Sequence, residues 1–354
     1  MKKALIAMSG GVDSSVAALL MQQNGYECTG ATMKLFNNDD VGESKEKTCC
    51  SLSDVEDARS ICYKIGIPFY VFNFTYDFNI QIIKRFVDAY EKGETPNPCI
   101  DCNKYMKFDK FLLRAKQLDI DYIATGHYAR IEFDNNRYLL KKAIDESKDQ
   151  SYVLYSMTQD QLKYTQFPLG QLKKSEVREL AKQNDFVNFK KHDSQDICFV
   201  RNGNYVDFIK QYTKKTYKQG EFTDINGNFL GKHKGIIAYT IGQRKGLGVS
   251  YCEPLYVYSK KITENKIVLA TENQMDTKQI EVKNFNWIAF NCPNSAFNAN
   301  VKIRYNQKDQ PAKIIPLSSE DVMIEFETPQ KQAAPGQAAV VYADDLVIGG
   351  GTIK

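Results

Sequence analysis

Apolar and polar positions fall into two textures along this chain. Residues 3–8 form a short, nearly unbroken apolar run, the pattern of a strand covered on both faces. A polar, glycine-containing break follows, and residues 13–24 then carry apolar side chains at helical spacing, with Gly25 as a stop signal. Residues 27–36, 68–74 and 122–125 read as further strands, residues 53–65 as a helix, and the polar stretch 37–47 as a loop. Strands alternating with helices predict a parallel sheet covered on both faces. After about Val200 the texture changes. Residues 205–212 are helical in period, and short β-rich runs then alternate with turns such as Asn226-Gly227 and Lys245-Gly246. From about residue 281, runs at 301–305, 322–326 and 338–342 predict a small antiparallel barrel or sandwich.

Composition narrows the class. The chain has 354 residues, 43% of them hydrophobic, enough for real cores and for two or three domains. No apolar run approaches the roughly 20 residues of a membrane span, and the N-terminus lacks signal-peptide anatomy. A soluble, cytoplasmic protein with no membrane partner is expected. The net charge of +4 neither requires nor excludes nucleic acid. Nine cysteines without a secretion signal argue for reduced thiols.

The break at residues 9–15, Ser-Gly-Gly-Val-Asp-Ser-Ser, is the first candidate for chemistry. Backbone N–H groups of Ser9 to Ser14 would converge on one concavity, and the helix behind them adds positive potential. Glycines at 10 and 11 permit close approach of an anion, and the hydroxyls of Ser9, Ser14 and Ser15 are placed to donate to phosphate oxygens. An ordinary strand-to-helix turn explains a bare Gly-Gly equally well. The string lacks the Gly-Lys-Ser/Thr of the loop that grips β- and γ-phosphates. It resembles instead the pyrophosphate loop of the ATP-pyrophosphatases. That resemblance implies that Ala7, Met8, Ser9, Gly10, Gly11, Val12, Asp13, Ser14, Met33 and Gly126 bind ATP. Asp13 is also a candidate anchor for Mg²⁺, directly or through water, or simply an acid at a helix N-terminus.

The second candidate is the Cys-x-x-Cys at Cys99 and Cys102, after a Pro-rich turn, with Cys198 alone after a polar loop. Zinc would want a second paired motif, which the irregular spacing of His192 and Cys198 does not supply. A redox pair, or a thiol working with a distant partner cysteine, remains open. An unperturbed thiol has a pKa of about 8.5, and Lys104 and Lys107 stand close enough in sequence to raise its thiolate fraction. Cys49, Cys50 and Cys62 cluster earlier; Cys28, Cys252 and Cys292 lie in apolar contexts and read as small buried hydrophobes.

Seven strings in one order, "SGGVDSS", "TPNP…CN…KF", "ATGHYA", "KDQSYVLY", "DSQDICF", "YTIGQRKGLG" and "APGQAAVVY", span Ser9 to Tyr342. Together they resemble the tRNA-specific 2-thiouridylases. The resemblance implies an α/β fold. A parallel-sheet, adenine-nucleotide α-hydrolase-like (PP-loop) domain over residues 1–203 would precede a small central domain over 204–278 and a C-terminal antiparallel β-barrel over 279–354. It implies ATP-dependent adenylation of the C2 oxygen of a wobble uridine, then displacement of AMP by a persulfide sulfur. Mg²⁺ would accompany the ATP. Cys198 matches the persulfide carrier. Cys102 matches the second catalytic cysteine, which can end disulfide-bonded to Cys198, and Asp13 joins the catalytic set. Asn97, Pro98 and Cys99 match the segment beside the target base. His127, Lys148, Asp149, Gln150, Arg304, Tyr305 and Gln337 match tRNA-contacting positions. The implied partners are tRNAs for Lys, Glu and Gln, and a cysteine desulfurase or sulfur relay protein.

One position departs from that pattern, because Cys99 stands where many members carry Asp. Three thiolates at Cys99, Cys102 and Cys198 are an alternative ligand set for an iron–sulfur cluster with one open iron. Two other functions stay open. One is an ATP-pyrophosphatase that forms amides without sulfur transfer; the other is a non-catalytic RNA-binding protein. Arg304-Tyr305 pairs a phosphate contact with a stacking ring, as RNA loops favour. The glycines at 242, 246 and 248 lie outside a βαβ context, so "GQRKGLG" reads as an RNA-facing loop rather than a dinucleotide site.

Overall fold

The computed structural model describes residues 1–36, 52–191, 196–200, 203–331 and 333–354. The expected loop at 37–47, Cys49, Cys50 and His192 lie outside the described residues. The chain forms two compact units: residues 1–82, 99–203 and 345–348, and residues 83–98, 204–344 and 349–354.

The first unit is a parallel sheet of β1 (Lys3–Ala7), β2 (Glu27–Lys34), β3 (Phe69–Asn73), β4 (Tyr122–Ala124) and β7 (Thr165–Gln166), in the order β3-β2-β1-β4-β7. Between β4 and β7 lies an antiparallel hairpin, β5 (Ala129–Asp134) and β6 (Arg137–Lys142). The strand order reverses at β1/β4, so the crevice at their C-terminal ends is where an open parallel sheet receives a ligand. Helices α1 (Val12–Gln23), α2 (Leu52–Lys64) and α8 (Lys174–Gln183) belong to the same unit. Ala4, Ile6, Val16, Ala17, Ile61 and Val177 form its core with other buried apolar side chains. The β5–β6 turn uses Asn135 and Asn136 at φ 47° and 60°, which Asn tolerates and a right-twisted hairpin needs.

Shorter helices complete this unit: α3 (Thr75–Phe78), α5 (Pro98–Asp101), α6 (Phe111–Gln117) and α7 (Gln159–Lys163). Between α5 and α6 the helix runs as a π-helix over Cys102–Lys110. Such windings are rare and gather at functional sites.

The second unit joins α4 (Arg85–Glu91) to α9 (Tyr205–Thr213), where Tyr90 and Tyr205 stack with centroids 4.4 Å apart. Residues 83–98 therefore pack with this unit, although they are contiguous in sequence with the parallel-sheet domain. Its first sheet has the order β10 (Leu255–Lys261), β11 (Lys266–Thr271), β8 (Gly220–Thr223), β9 (Phe229–His233). Its second is built from β12 (Asp276–Trp287), β13 (Phe297–Lys302), β14 (Gln310–Pro316), β15 (Val322–Lys331), β16 (Ala338–Ala343) and β17 (Leu346–Ile353). The order β12-β15-β14-β13-β16-β17 closes through β12–β17, which makes a barrel. Arg304 and Tyr305 lie past the end of β13, in the turn before β14, rather than inside the strand expected at 301–305. Among the described residues no helix is long and apolar enough to cross a membrane.

Candidate active site

β1 ends at Ala7 and α1 starts at Val12, so Met8 to Gly11 make the turn. Gly10 holds φ +73°, and a Cβ there would collide with the backbone of Asp54 in α2. Only glycine meets both demands. Gly11 is the N-cap of α1 and has no side-chain cap, which leaves the first-turn N–H groups facing outward for an anion. Gly126, after β4, has no room for a Cβ against the backbone of Asp13 and Ser14. Met33 lies at the far end of β2, beside Phe72 of β3. The sheet's switch point thus assembles the residues named for ATP.

Two hydroxyls are not where the sequence put them. Ser14 Oγ donates to Gly11 O at 2.9 Å, and Ser15 Oγ to the same carbonyl at 3.0 Å. Both side chains are buried, at 3% and 0% exposure. Their protons shape the turn and are not free for phosphate. Ser9 is exposed, with its Oγ 3.2 Å from Ser14 Oγ.

The turn is braced from the segment after α8, which the sequence did not flag. Asn188 Nδ2 donates to Gly10 O at 3.0 Å and to Ser15 Oγ at 2.9 Å. Lys191 Nζ reaches Gly10 O at 3.2 Å and Asp57 at 2.8 Å, and pairs with Asp54.

Asp13 is also engaged. Lys174 Nζ lies 2.7 Å from each carboxylate oxygen, and the Tyr128 hydroxyl donates to Oδ1 at 2.8 Å. Tyr128 is fixed by Gln150, whose Oε1 accepts from Tyr128 N at 2.9 Å. Both Asp13 oxygens face an ammonium, and the described residues contain no cluster of three metal-ligating side chains. Mg²⁺ is usually held by one or two carboxylates together with substrate phosphates and water, so a single carboxylate such as Asp13 beside ATP is a donor of the kind it takes.

Cys99 is exposed, and Cys102 is half-buried at the start of the π-helix. Asn103, 2% exposed, ties this helix down by donating to Val153 O at 2.9 Å. Cys198 is half-buried beside Phe199, whose ring packs on Phe78 with centroids 5.8 Å apart. The three thiols do not form a ligand set, so the iron–sulfur alternative is not supported by this geometry. Asn97 is half-buried and Pro98 buried, and both fall in the second unit, while Cys99 opens the next stretch of the first. Lys107 turns toward His127, its Nζ 3.3 Å from Nε2, and Lys104 Nζ lies 5.3 Å from the centroid of the Tyr105 ring. Cys28 and Cys62 are buried, which pushes their thiols up to about 11 and about 12. Cys252 is exposed and Cys292 half-buried, against expectation, because both lie in loops.

Several residues matched to tRNA contacts have structural partners within the chain. His127 is 7% exposed, packed against Phe108 and Phe167, with Nδ1 2.7 Å from Thr125 Oγ1. It offers almost no surface in this structure. Burial, then the Lys107 charge, push its pKa well below the usual histidine value. A neutral ring therefore accepts from Lys107 at Nε2 and donates to Thr125. The unfolded ring takes a proton near pH 6.5 and the folded ring does not, so stability is full above that pH and falls below it. Chemical unfolding should lose up to about 1.4 kcal/mol per pH unit below 6.5, and His127→Gln should remove this slope. An unchanged slope in the variant would assign the effect elsewhere.

Asp149 is 9% exposed and accepts from Ala143 N at 3.0 Å and Ser151 Oγ at 2.7 Å. These bonds close a turn. Lys148 is half-buried, and Gln150 serves Tyr128. Arg304 is half-buried, and Tyr305 is 38% exposed with Lys302 Nζ 5.8 Å from its ring centroid. Gln337 Nε2 donates to Thr95 O at 2.6 Å, and Thr95 N donates to Pro335 O at 2.8 Å. The barrel thereby straps the segment that leads to Asn97 and Cys99. Gln337→Ala should cost about 1 kcal/mol of stability by thermal unfolding, the worth of one lost hydrogen bond. An unchanged melting temperature would remove the strap.

The glycines of "GQRKGLG" take φ +82°, +77° and +69° at 242, 246 and 248. Their loop lines a surface pocket with Arg244, Tyr251 and Cys252.

A lysine-free glycine turn between strand and helix, at the switch point of an open parallel sheet, defines a nucleotide-binding α/β protein of the PP-loop class. Residues 2–202 match the family model for the "tRNA methyl transferase HUP domain". Residues 206–271 match the "tRNA methyl transferase PRC-barrel domain", and 277–353 the "Aminomethyltransferase beta-barrel domain". Proteins described as "tRNA-specific 2-thiouridylase MnmA" align end to end. The one from Clostridioides difficile is 48% identical over 100% of this chain and 98% of its own length. Those from Clostridium acetobutylicum and Acetivibrio thermocellus are 49% and 47% identical, each over 100% of this chain and 99% of their own. The chain belongs to the tRNA-specific 2-thiouridylase family.

Proposed function

We propose that this chain uses ATP to thiolate a wobble uridine in tRNA at C2. The observation that carries the reading is a pyrophosphate-type turn in the same unit as two partly exposed cysteines, Cys102 and Cys198. The name its relatives share supports it.

The chain's own groups suit the steps. The glycine turn and the α1 N-terminus hold the phosphates, where charge develops as pyrophosphate leaves the α-phosphorus. The uridine O2 attacks that phosphorus, so the oxygen becomes a good leaving group as AMP. A persulfide on Cys198 attacks C2 through its outer sulfur, and AMP departs with the oxygen. The Cys102 thiolate then attacks Cys198 Sγ, the S–S bond breaks, and 2-thiouridine is released. This leaves a Cys102–Cys198 disulfide, which two electrons from an external dithiol return to thiols. Serving this route, a cysteine desulfurase or relay protein supplies the sulfane sulfur. Mg²⁺ would arrive with the nucleotide, held by phosphates and water. Tyr305, Arg304 and Lys148 are the residues whose surface best suits RNA, by stacking and by phosphate contact. The tRNAs proposed are those for Lys, Glu and Gln.

Mass spectrometry of tRNA nucleosides after incubation with ATP, Mg²⁺, free cysteine and a cysteine desulfurase as the sulfane-sulfur source tests this directly. ATP-dependent 2-thiouridine is expected. ATP consumption with no thiolated nucleoside would favour amide formation instead.

A further inference from the structure

The turn at Met8 to Gly11 has no lysine, and the first turn of its helix carries an acid, Asp13. A carboxylate is a poor neighbour for a triphosphate. We propose that Lys174 is the charge partner that makes this turn fit for ATP: it neutralises Asp13, so that the nucleotide meets the helix N-terminus rather than a negative charge. The inference rests on the proposed use of ATP and goes beyond it by naming a positioning residue.

The geometry is specific. Lys174 comes from the first turn of α8, 161 residues from Asp13, and meets both carboxylate oxygens at 2.7 Å. It is 8% exposed, so its long stem and charge are buried for this contact. Its backbone N–H donates to Asp145 Oδ2 at 2.9 Å, which pins the start of the helix. Its Nζ lies 5.6 Å from the Tyr128 ring centroid, and the Tyr128 hydroxyl completes the hold on Asp13 at 2.8 Å. An ammonium buried this far is costly unless paired, and the pair is met from two sides. Side-chain exposure is 10% for Lys174 and 30% for Asp13, so the lysine backs the acid and the acid faces outward. With an effective dielectric of about 20, an unpaired carboxylate about 5 Å from a phosphate charge weakens binding by roughly a hundredfold before salt screening.

A double-mutant cycle in full-length protein, read by calorimetric titration with ATP in EDTA, separates this role from others. Lys174→Gln should weaken metal-free ATP binding at least tenfold, and the deficit should shrink as salt is raised. Adding Asp13→Asn to that variant removes the exposed charge, and affinity should return to within threefold of the parent. Lys174→Arg keeps the charge and should stay within fivefold, which covers the case of a Lys174→Gln chain that does not fold. Wild-type affinity in Lys174→Gln would overturn the inference. So would a double variant as weak as Lys174→Gln, or a tenfold loss in Lys174→Arg. If the parent chain binds no ATP at all, the proposed function fails and the inference with it; a flat cycle in a chain that does bind ATP overturns the inference alone.

Discussion

Replacing Cys198 or Cys102 by serine should lower 2-thiouridine formation at least about a thousandfold, as expected when a covalent step loses its nucleophile. A serine hydroxyl cannot carry a sulfane sulfur, and it cannot resolve a persulfide by disulfide exchange. Neither thiol takes part in the adenylation step, so tRNA-dependent exchange of pyrophosphate into ATP should stay within about threefold. Nucleoside mass spectrometry and the exchange assay read the two halves separately. Thiolation persisting in both variants would sink the sulfur-transfer mechanism. Cys99→Ser is the informative companion. Cys99 is exposed and is not gathered with the other two thiols into a ligand set. Its loss should leave thiolation within about tenfold of the parent. A loss as deep as that of Cys102 would show that the three thiols act as one unit.

Gly10→Ala should have the second large effect. The residue sits at φ +73°, where an L side chain is strained by about 1–3 kcal/mol. Its new Cβ would also strike the Asp54 backbone, which, unlike a flexible side chain, cannot swing away. Either the turn lifts off α2 or α2 moves, and Gly10 O leaves its bonds to Asn188 and Lys191. Misplacing a substrate-holding loop by about 1 Å is worth roughly a hundredfold in rate. ATP-dependent pyrophosphate release should fall by that order, with a lower melting temperature. Parental release and melting together would show that the turn adapts.

Much of the fold was legible in local pattern. The strands at residues 3–7, 27–34, 69–73 and 122–124 and the helices at 12–23, 52–64 and 205–213 were each foreseen within about two residues. Each is a period or apolar run bounded by its own punctuation. The β5–β6 hairpin was passed over, though the pair Asn135-Asn136 is a readable turn signal. The strand expected at 301–305 ended early because Arg304 and Tyr305 belong to a turn.

The site divided differently. Residue type and spacing alone determined the glycine turn, its lack of lysine, and the thiols at 99, 102 and 198, because backbone freedom and thiol chemistry are local properties. Side-chain partners are not local. Tyr128 and Lys174 reach Asp13 across 115 and 161 residues, and Asn188 reaches Gly10 across 178. No spacing rule encodes such pairs; they follow from which elements the sheet order places side by side. Burial is decided the same way. It turned the hydroxyls of Ser14 and Ser15 inward, made His127 a neutral core residue, and gave Asp13 a buried ammonium as its partner. The sequence named the groups that can do chemistry, and packing decided which of them face a substrate and which hold the others in place.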